Sequence, residues 1–237
     1  MDELTYPIRI NRYLALRNIC SRREADVLIA KKIVKINGRI AKLGDKVNAD
    51  AKVEVDLKQK NILKKYQYFT YNKPVGVVTH SPEPGQKDIR EATALPKGFF
   101  PVGRLDKDSH GLIILTNDGR VTDKLLNPEY SHEREYIVRV NKPITNIFLK
   151  VLQKGIQLED FKTKPAKVTK ISQYVFSIVL VEGKKHQIRR MCTNFGFEAV
   201  DLQRTRIMEI KLENLGVGKK RELIGEELNN FLKKLQC

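Results

Sequence analysis

The feature that most limits how this chain can fold is a change of rhythm at a lysine-rich run, LKQKNILKKY, from Leu57 to Tyr66. The chain opens with apolar residues at helical spacing, whereas those directly after the run alternate. A period of about 3.6 lines one side of a helix and a period of 2 lines one face of a strand, so the two stretches cannot extend a single element. The polar run reads as a linker. We therefore divide the chain into 1–60, linker included, and 61–237.

In the first part, Ile10, Tyr13, Leu14 and Arg17 lie at helical spacing, and Asn18 is a suitable stop because Asn tolerates the left-handed conformation. A second helix follows in CSRREADVLIA, where Ser21 and Glu24 form a capping box and Ala25, Leu28 and Ile29 give the buried side. Asn37-Gly38, set between the alternating runs of VKINGRIA, marks a tight hairpin. Arg22 and Arg23 fall in the first turn of the second helix. The helix dipole disfavours each there by a few tenths of a kcal/mol, roughly, and a bound phosphate would remove that penalty. With Arg9, Asn11, Arg12, Lys35 and Arg39 they define a candidate RNA-docking face; a solvated charged surface is the competing reading.

The second part mixes strands and helices irregularly. YQYFTYNK, LIILTN, REYIVRV and YVFSIVLVEG alternate as strands do. HQIRRMCTNFG and GEELNNFLKKL carry helical spacing. The pattern is α+β, without the regular βα repeat of a doubly wound sheet.

Charge narrows the partner. With 45 Lys and Arg against 28 Asp and Glu, the net charge is +17, which draws in polyphosphate and speeds encounter with nucleic acid. No apolar run approaches the roughly 20 residues of a membrane span, and Met1 to Arg9 lacks the apolar segment of a secretory signal. We expect a cytoplasmic, monomeric protein with no membrane partner. Cys20, Cys192 and Cys237 form no paired spacing, and His80, His110, His132 and His186 never fall three to five residues apart, so no metal site is expected.

Against this basic background, GRLDKDSHGLIILTNDG (Gly103 to Gly119) sets Asp106 and Asp108 between Gly103 and Gly111, directly before an apolar strand. A loop anchored to a rigid element is where reactive groups tend to sit. The same residues also suit a hydrated surface pair, or a turn fixed through its own backbone. There is no phosphate-binding glycine loop ending in Lys-Ser/Thr, no dinucleotide fingerprint and no serine elbow. Energy-coupled transfer, hydride transfer and acyl hydrolysis are therefore poorly supported. What remains is carboxylate chemistry on RNA.

Two resemblances sharpen this reading. Arg9, Asn11, Ser21-Arg22, Ala25 and Val34 to Gly38 resemble the alpha-L RNA-binding domain of a ribosomal small-subunit protein and many RNA-modifying enzymes. Asn18 and Lys32 stand where that family usually has glycine. NKPVGVV, GRLDKDSHGLIILTNDG, EREYIVRV and KKHQIRRMCTNFGF are similar, in order and spacing, to the motifs of ribosomal pseudouridine synthases that carry an alpha-L domain. Lys107-Asp108-Ser109 and RTRIMEIKL look most like a large-subunit subgroup of type F, where Gln commonly occupies the place of His110.

The resemblance implies an alpha-L domain of two helices and a hairpin, then a synthase domain with a mixed, largely antiparallel sheet and a central cleft. It implies isomerisation of uridine to pseudouridine in a large-subunit (23S) rRNA hairpin, with no cofactor because atoms and redox state are conserved. A tRNA hairpin or small-subunit rRNA is the alternative substrate. Asp106 corresponds to the catalytic aspartate and Arg189 to the arginine that pairs with it. Such a cation is needed because the ionised form of a carboxylate among phosphates is disfavoured. Tyr136 corresponds to the tyrosine that stacks on the flipped base, Ile188 to an apolar residue lining the base pocket, and Arg104 to an RNA contact; Lys73 is assigned to substrate binding. On spacing alone Tyr136 is a half-buried strand residue, Ile188 is core and Arg189 is a phosphate contact. Two other functions compete: a ribosome-assembly factor without catalysis, and a metal-dependent nuclease using Asp106, Asp108 and Asp118.

Overall fold

The computed structural model describes residues 5–17, 19–56 and 66–237. Asn18, the expected helix stop, and Leu57 to Lys65 of the expected linker lie outside the described residues. The chain forms two compact units, one of residues 1–67 with 118–122 and 237, the other of 68–117 and 123–236. The expected division at residue 60 thus falls seven residues before the observed one, and a short segment after Asn117 is grouped with the first unit.

In the first unit, β1 (Ile8–Arg9) leads into α1 (Ile10–Leu16), and α2 (Arg22–Ala30) follows. The capping box is formed: Ser21 Oγ accepts from Glu24 N at 3.3 Å and Ser21 N donates to Glu24 Oε2 at 2.8 Å. The hairpin is also formed, β2 (Val34–Ile36) pairing with β3 (Arg39–Ile40) across Asn37 and Gly38, both at positive φ. Two further strands complete the unit: β4 (Lys46–Val47) pairs with β1, and β5 (Val53–Val55) pairs with β2. Ile10, Leu14, Ala25, Leu28, Ile29, Val34 and Val47 make the core. Lys32 takes φ 60, so the lysine adopts the glycine-like conformation at that place.

The second unit is built on one mixed sheet. Its strands are β6 (Tyr68–Lys73), β7 (Phe100–Val102), β8 (His110–Thr116), β9 (Arg134–Val140), β10 (Lys167–Lys170), β11 (Val175–Leu180), β12 (Ala199–Ile207), β13 (Ile210–Lys211) and β14 (Lys220–Glu222). The order is β10-β11-β9-β12-β8-β6-β14, with β13 on β12 and β7 on β8. All named pairs are antiparallel except β12 with β8, which run parallel. The helices that follow β6 in the chain are α3 (Ile89–Thr93), α4 (Arg120–Leu126), whose first three residues are grouped with the first unit, α5 (Asn146–Lys154), α6 (Gln187–Thr193) and α7 (Gly225–Lys234).

The parallel pair is a seam. On one side, β9, β11, β12, α5 and α6 enclose a core that includes Val138, Phe148, Phe176, Ile178, Met191 and Leu202. On the other, Tyr71, Ile89, Ile113 and Leu115 of β6, α3 and β8 pack together with Val77 from the β6–α3 connection. Gly111 makes the seam possible. A Cβ at that position would lie 2.3 Å from the Arg204 carbonyl oxygen, and the backbone has φ +102, so a side chain there meets both a clash and strain.

Candidate active site and RNA-binding face

The segment leading into β8 is the acidic loop, and it is held almost atom by atom. Arg104 O accepts from Arg204 Nη1 at 3.3 Å and Leu105 O from Thr79 Oγ1 at 2.6 Å. Asp106 O accepts from Ser109 N at 3.1 Å and Lys107 O from Gly76 N at 2.9 Å. Asp108 O accepts from Arg189 Nη2 at 2.9 Å and Ser109 O from Lys73 Nζ at 2.8 Å. Every carbonyl from residue 104 to 109 therefore has a donor, four of them on side chains distant in sequence. A loop with its backbone groups satisfied this way cannot relax by swapping partners with water. Asp106 projects from it with its side chain about one-third exposed, at 36%.

Three cations hold this loop. Lys73 ends β6 fully buried, and its ammonium also donates to Pro74 O at 2.9 Å. Burial pushes its pKa down to about 8, with Asp106 and Asp108 opposing that fall and Arg204 adding to it. Arg204, buried on β12, also donates Nε to Leu112 O at 2.7 Å. Arg189 donates Nη1 to Ala199 O at 2.6 Å and Nη2 to Ser109 Oγ at 3.4 Å as well as to the loop.

Two of the expected site residues contact the loop backbone. Lys73, expected to bind substrate, is buried with its ammonium engaged by the carbonyls of Pro74 and Ser109. Arg189 was assigned to the Asp106 carboxylate. It instead grips the backbone two residues further on, because its guanidinium already spans Ala199 O and Asp108 O. The side chain facing the Asp106 carboxylate is His186, Nε2 to Oδ1 at 3.5 Å. His186 was considered only as a metal ligand, and no group of three or more His, Cys, Asp or Glu residues is placed to hold a metal among the described residues.

The remaining expected residues are distributed around the seam. Tyr136 is half-buried on β9 and registers with Arg204, whose backbone pairs on its other side with Gly111 at the start of β8. Ile188 on α6 is 5% exposed and belongs to the core cluster, so its packing role is plain. Arg104 is exposed. His110 bridges the two parallel strands, its Nε2 lying 2.9 Å from Asp201 Oδ1. Asp118, a member of the nuclease set, is buried, with both oxygens engaged by the Arg120 guanidinium at 2.8–3.1 Å, which removes it as an open metal ligand.

Comparison with known proteins then decides the family. A model described as RNA pseudouridylate synthase matches residues 67–194, and one described as S4 domain matches residues 8–53. The chain belongs to the RNA pseudouridylate synthases. It is 40% identical to the dual-specificity RNA pseudouridine synthase RluF of Escherichia coli (strain K12), over 97% of this chain and 80% of that protein. It is 34% identical to the ribosomal large subunit pseudouridine synthase B of Bacillus subtilis (strain 168), over 94% of this chain and 95% of that one. A crystal structure of a pseudouridylate synthase superposes with a TM-score of 0.70 at 28% identity, covering 96% and 99% of the two chains.

As a synthase with an S4 domain, the chain carries an RNA-binding unit at its start. There Arg9, Arg12, Arg22, Arg23, Lys35 and Arg39 are exposed. Asn11 is an exception among the expected contacts: its Nδ2 donates to Asp26 Oδ1 at 2.9 Å, tying α1 to α2. Arg39 is partly engaged, lying 2.8 Å from Asp45 Oδ2, in an exposed pair that phosphate could outcompete. No helix among the described residues is long and apolar enough to cross a membrane.

Proposed function

We propose that this synthase isomerises one specific uridine of large-subunit (23S) ribosomal RNA, with Asp106 as the reacting carboxylate, residues 61–237 as the catalytic part and 1–60 as the RNA-binding part. The observation that carries the reading is the loop at 104–109, whose carbonyls are all bound while the Asp106 side chain is left reachable. Energy of folding goes into fixing the loop backbone, so the carboxylate meets its target already placed.

In the reaction the N1–C1′ bond of uridine breaks, the uracil turns, and a C5–C1′ bond forms; C5 gives up a proton and N1 gains one, so nothing is added or lost. Asp106 acts on the ribose, either as nucleophile at C1′ or as base towards a ribose proton. The target uridine must first leave its stack, at a cost of a few kcal/mol, roughly, and the Tyr136 ring offers it a face that offsets part of that cost. Arg104, exposed beside the loop, contacts the adjoining backbone. Arg189 acts by holding the loop and the start of β12 together. Ile188 backs the base pocket from the core.

The large-subunit assignment draws on the similarity to the Bacillus ribosomal large subunit synthase, and a tRNA hairpin as a further substrate on the similarity to the dual-specificity Escherichia synthase. Pseudouridine mapping of total RNA from cells lacking the protein tests both: one missing site in 23S rRNA is expected, and an intact rRNA map sinks the assignment. Asp106→Asn is expected to abolish pseudouridine formation while RNA affinity stays within about twofold, read by tritium release and filter binding. Activity surviving in that variant overturns the role of Asp106, and pseudouridine formation by the wild type disposes of a purely binding function.

A further inference from the structure

We propose that His186 is a positioning residue for the isomerisation, its Nε2 fixing Oδ1 of Asp106 so that Oδ2 faces the ribose. The proposal rests on the reading of Asp106 as the reacting carboxylate.

The imidazole is aimed at Asp106 by a backbone that few non-glycine residues adopt. His186 has φ 52 and ψ 26, the left-handed region, at the residue preceding α6. That conformation is imposed from beneath. Gln187, buried, donates Nε2 to buried Glu182 Oε1 at 2.8 Å and accepts from Lys184 N at 3.0 Å, closing residues 182–187 into a tight turn. The same Glu182 oxygen accepts from Lys164 N at 2.9 Å, which pins the turn to the neighbouring chain. Left-handed non-glycine residues held by their surroundings gather at sites where placement matters.

The other end of the contact is equally fixed. Arg189, one helical turn along from His186, binds Asp108 O, so α6 and the acidic loop share a direct link two residues from the carboxylate. Between these two anchored elements Nε2 and Oδ1 stand 3.5 Å apart, with the imidazole half exposed at 50% and the carboxylate at 36%. Such a separation is long for a hydrogen bond, and contacts of this kind tighten once substrate excludes water. Lys73, Arg189 and Arg204 act on the carbonyls of the loop, whereas the imidazole faces the carboxylate itself. Holding one oxygen removes a rotation of the carboxylate that would otherwise have to be frozen in the transition state.

The test uses the full-length protein and 23S rRNA from cells lacking it. His186→Gly and His186→Asn both suit a left-handed backbone, so the turn survives, but neither side chain reaches Asp106. His186→Gln places an amide nitrogen near the position of Nε2. We expect kcat to fall about tenfold or more in the Gly and Asn variants with KM for RNA unchanged. Restoration of kcat by His186→Gln, or by free imidazole added to His186→Gly, supports the proposal, because a structural role would respond to neither. The proposal is overturned by wild-type kcat in the Gly and Asn variants, by a rise in KM alone, or by a loss that neither Gln nor imidazole restores. Asp106→Asn in parallel separates the two claims: an inactive Asp106→Asn beside a fully active His186→Asn removes His186 only, whereas an active Asp106→Asn removes the reading beneath it.

Discussion

The cations of the two units do opposite work. In the S4 unit, Arg9, Arg12, Arg22, Arg23 and Lys35 stand exposed at the surface. In the synthase unit, Lys73 and Arg204 are buried, and with Arg189 they donate to backbone carbonyls of the loop that carries Asp106. The first set is available to phosphate, and its attraction is screened by salt. The second set has left water for fixed acceptors, and its loss leaves those acceptors orphaned in the interior. Side chains of one chemical type thus serve binding or architecture according to depth.

The largest effect is expected where the seam itself is broken. Gly111→Ala forces a methyl group onto the Arg204 carbonyl at 2.3 Å, and we expect about 3 kcal/mol of lost stability together with most of the activity. Urea denaturation followed by an activity assay checks this, and a stable, active Gly111→Ala would mean that β8 and β12 can part without consequence.

Lys73→Met comes next. It leaves Ser109 O and Pro74 O without their donor, for a loss of about 2 kcal/mol near neutral pH. Its pH dependence has a definite sign. The folded pKa of about 8 lies below the ordinary lysine value of 10.5, so between the two the unfolded chain binds more protons than the folded one. The Lys73 contribution to stability therefore rises with pH through that window, and the cost of its buried charge is fully present below it. The wild type should gain on Lys73→Met between about pH 7.5 and about pH 9.5 in urea midpoints; a constant gap contradicts the buried, loop-holding ammonium.

The smallest effect on folding sharpens the contrast from the other side. Replacing Arg22 and Arg23 by Ala should change stability by less than about 0.5 kcal/mol, with any change favourable because two charges leave the positive end of α2. RNA affinity should fall, and the slope of log K against log salt should shrink by about 1.5. Unchanged salt dependence would place the phosphate path elsewhere on the unit.

Local elements were legible because their causes are local. The Ser21–Glu24 capping box, the Asn37-Gly38 hairpin and the strands at 68–73, 134–140 and 175–180 each follow from residues within a few positions of one another. Other elements escaped. α3 has only five residues, and β12 runs through AVDLQRTRI, where charged residues on a strand bordered on both sides hide the alternation. Asp106 stood out because two glycines and an apolar strand framed an acid in a basic chain. His186 did not, since a left-handed backbone at a histidine leaves no mark in spacing.

By itself, then, the sequence determined the locally encoded elements, the cationic character and the motifs that carry the family resemblance. Tertiary structure alone decided which cations are buried. Lys73 and Arg204 meet the loop across 36 and 100 residues of chain, and charge in a sequence carries no information about depth. Contacts across such separations are set by which strands become neighbours, here the parallel meeting of β8 and β12, and that depends on the packing of both cores together rather than on any one segment.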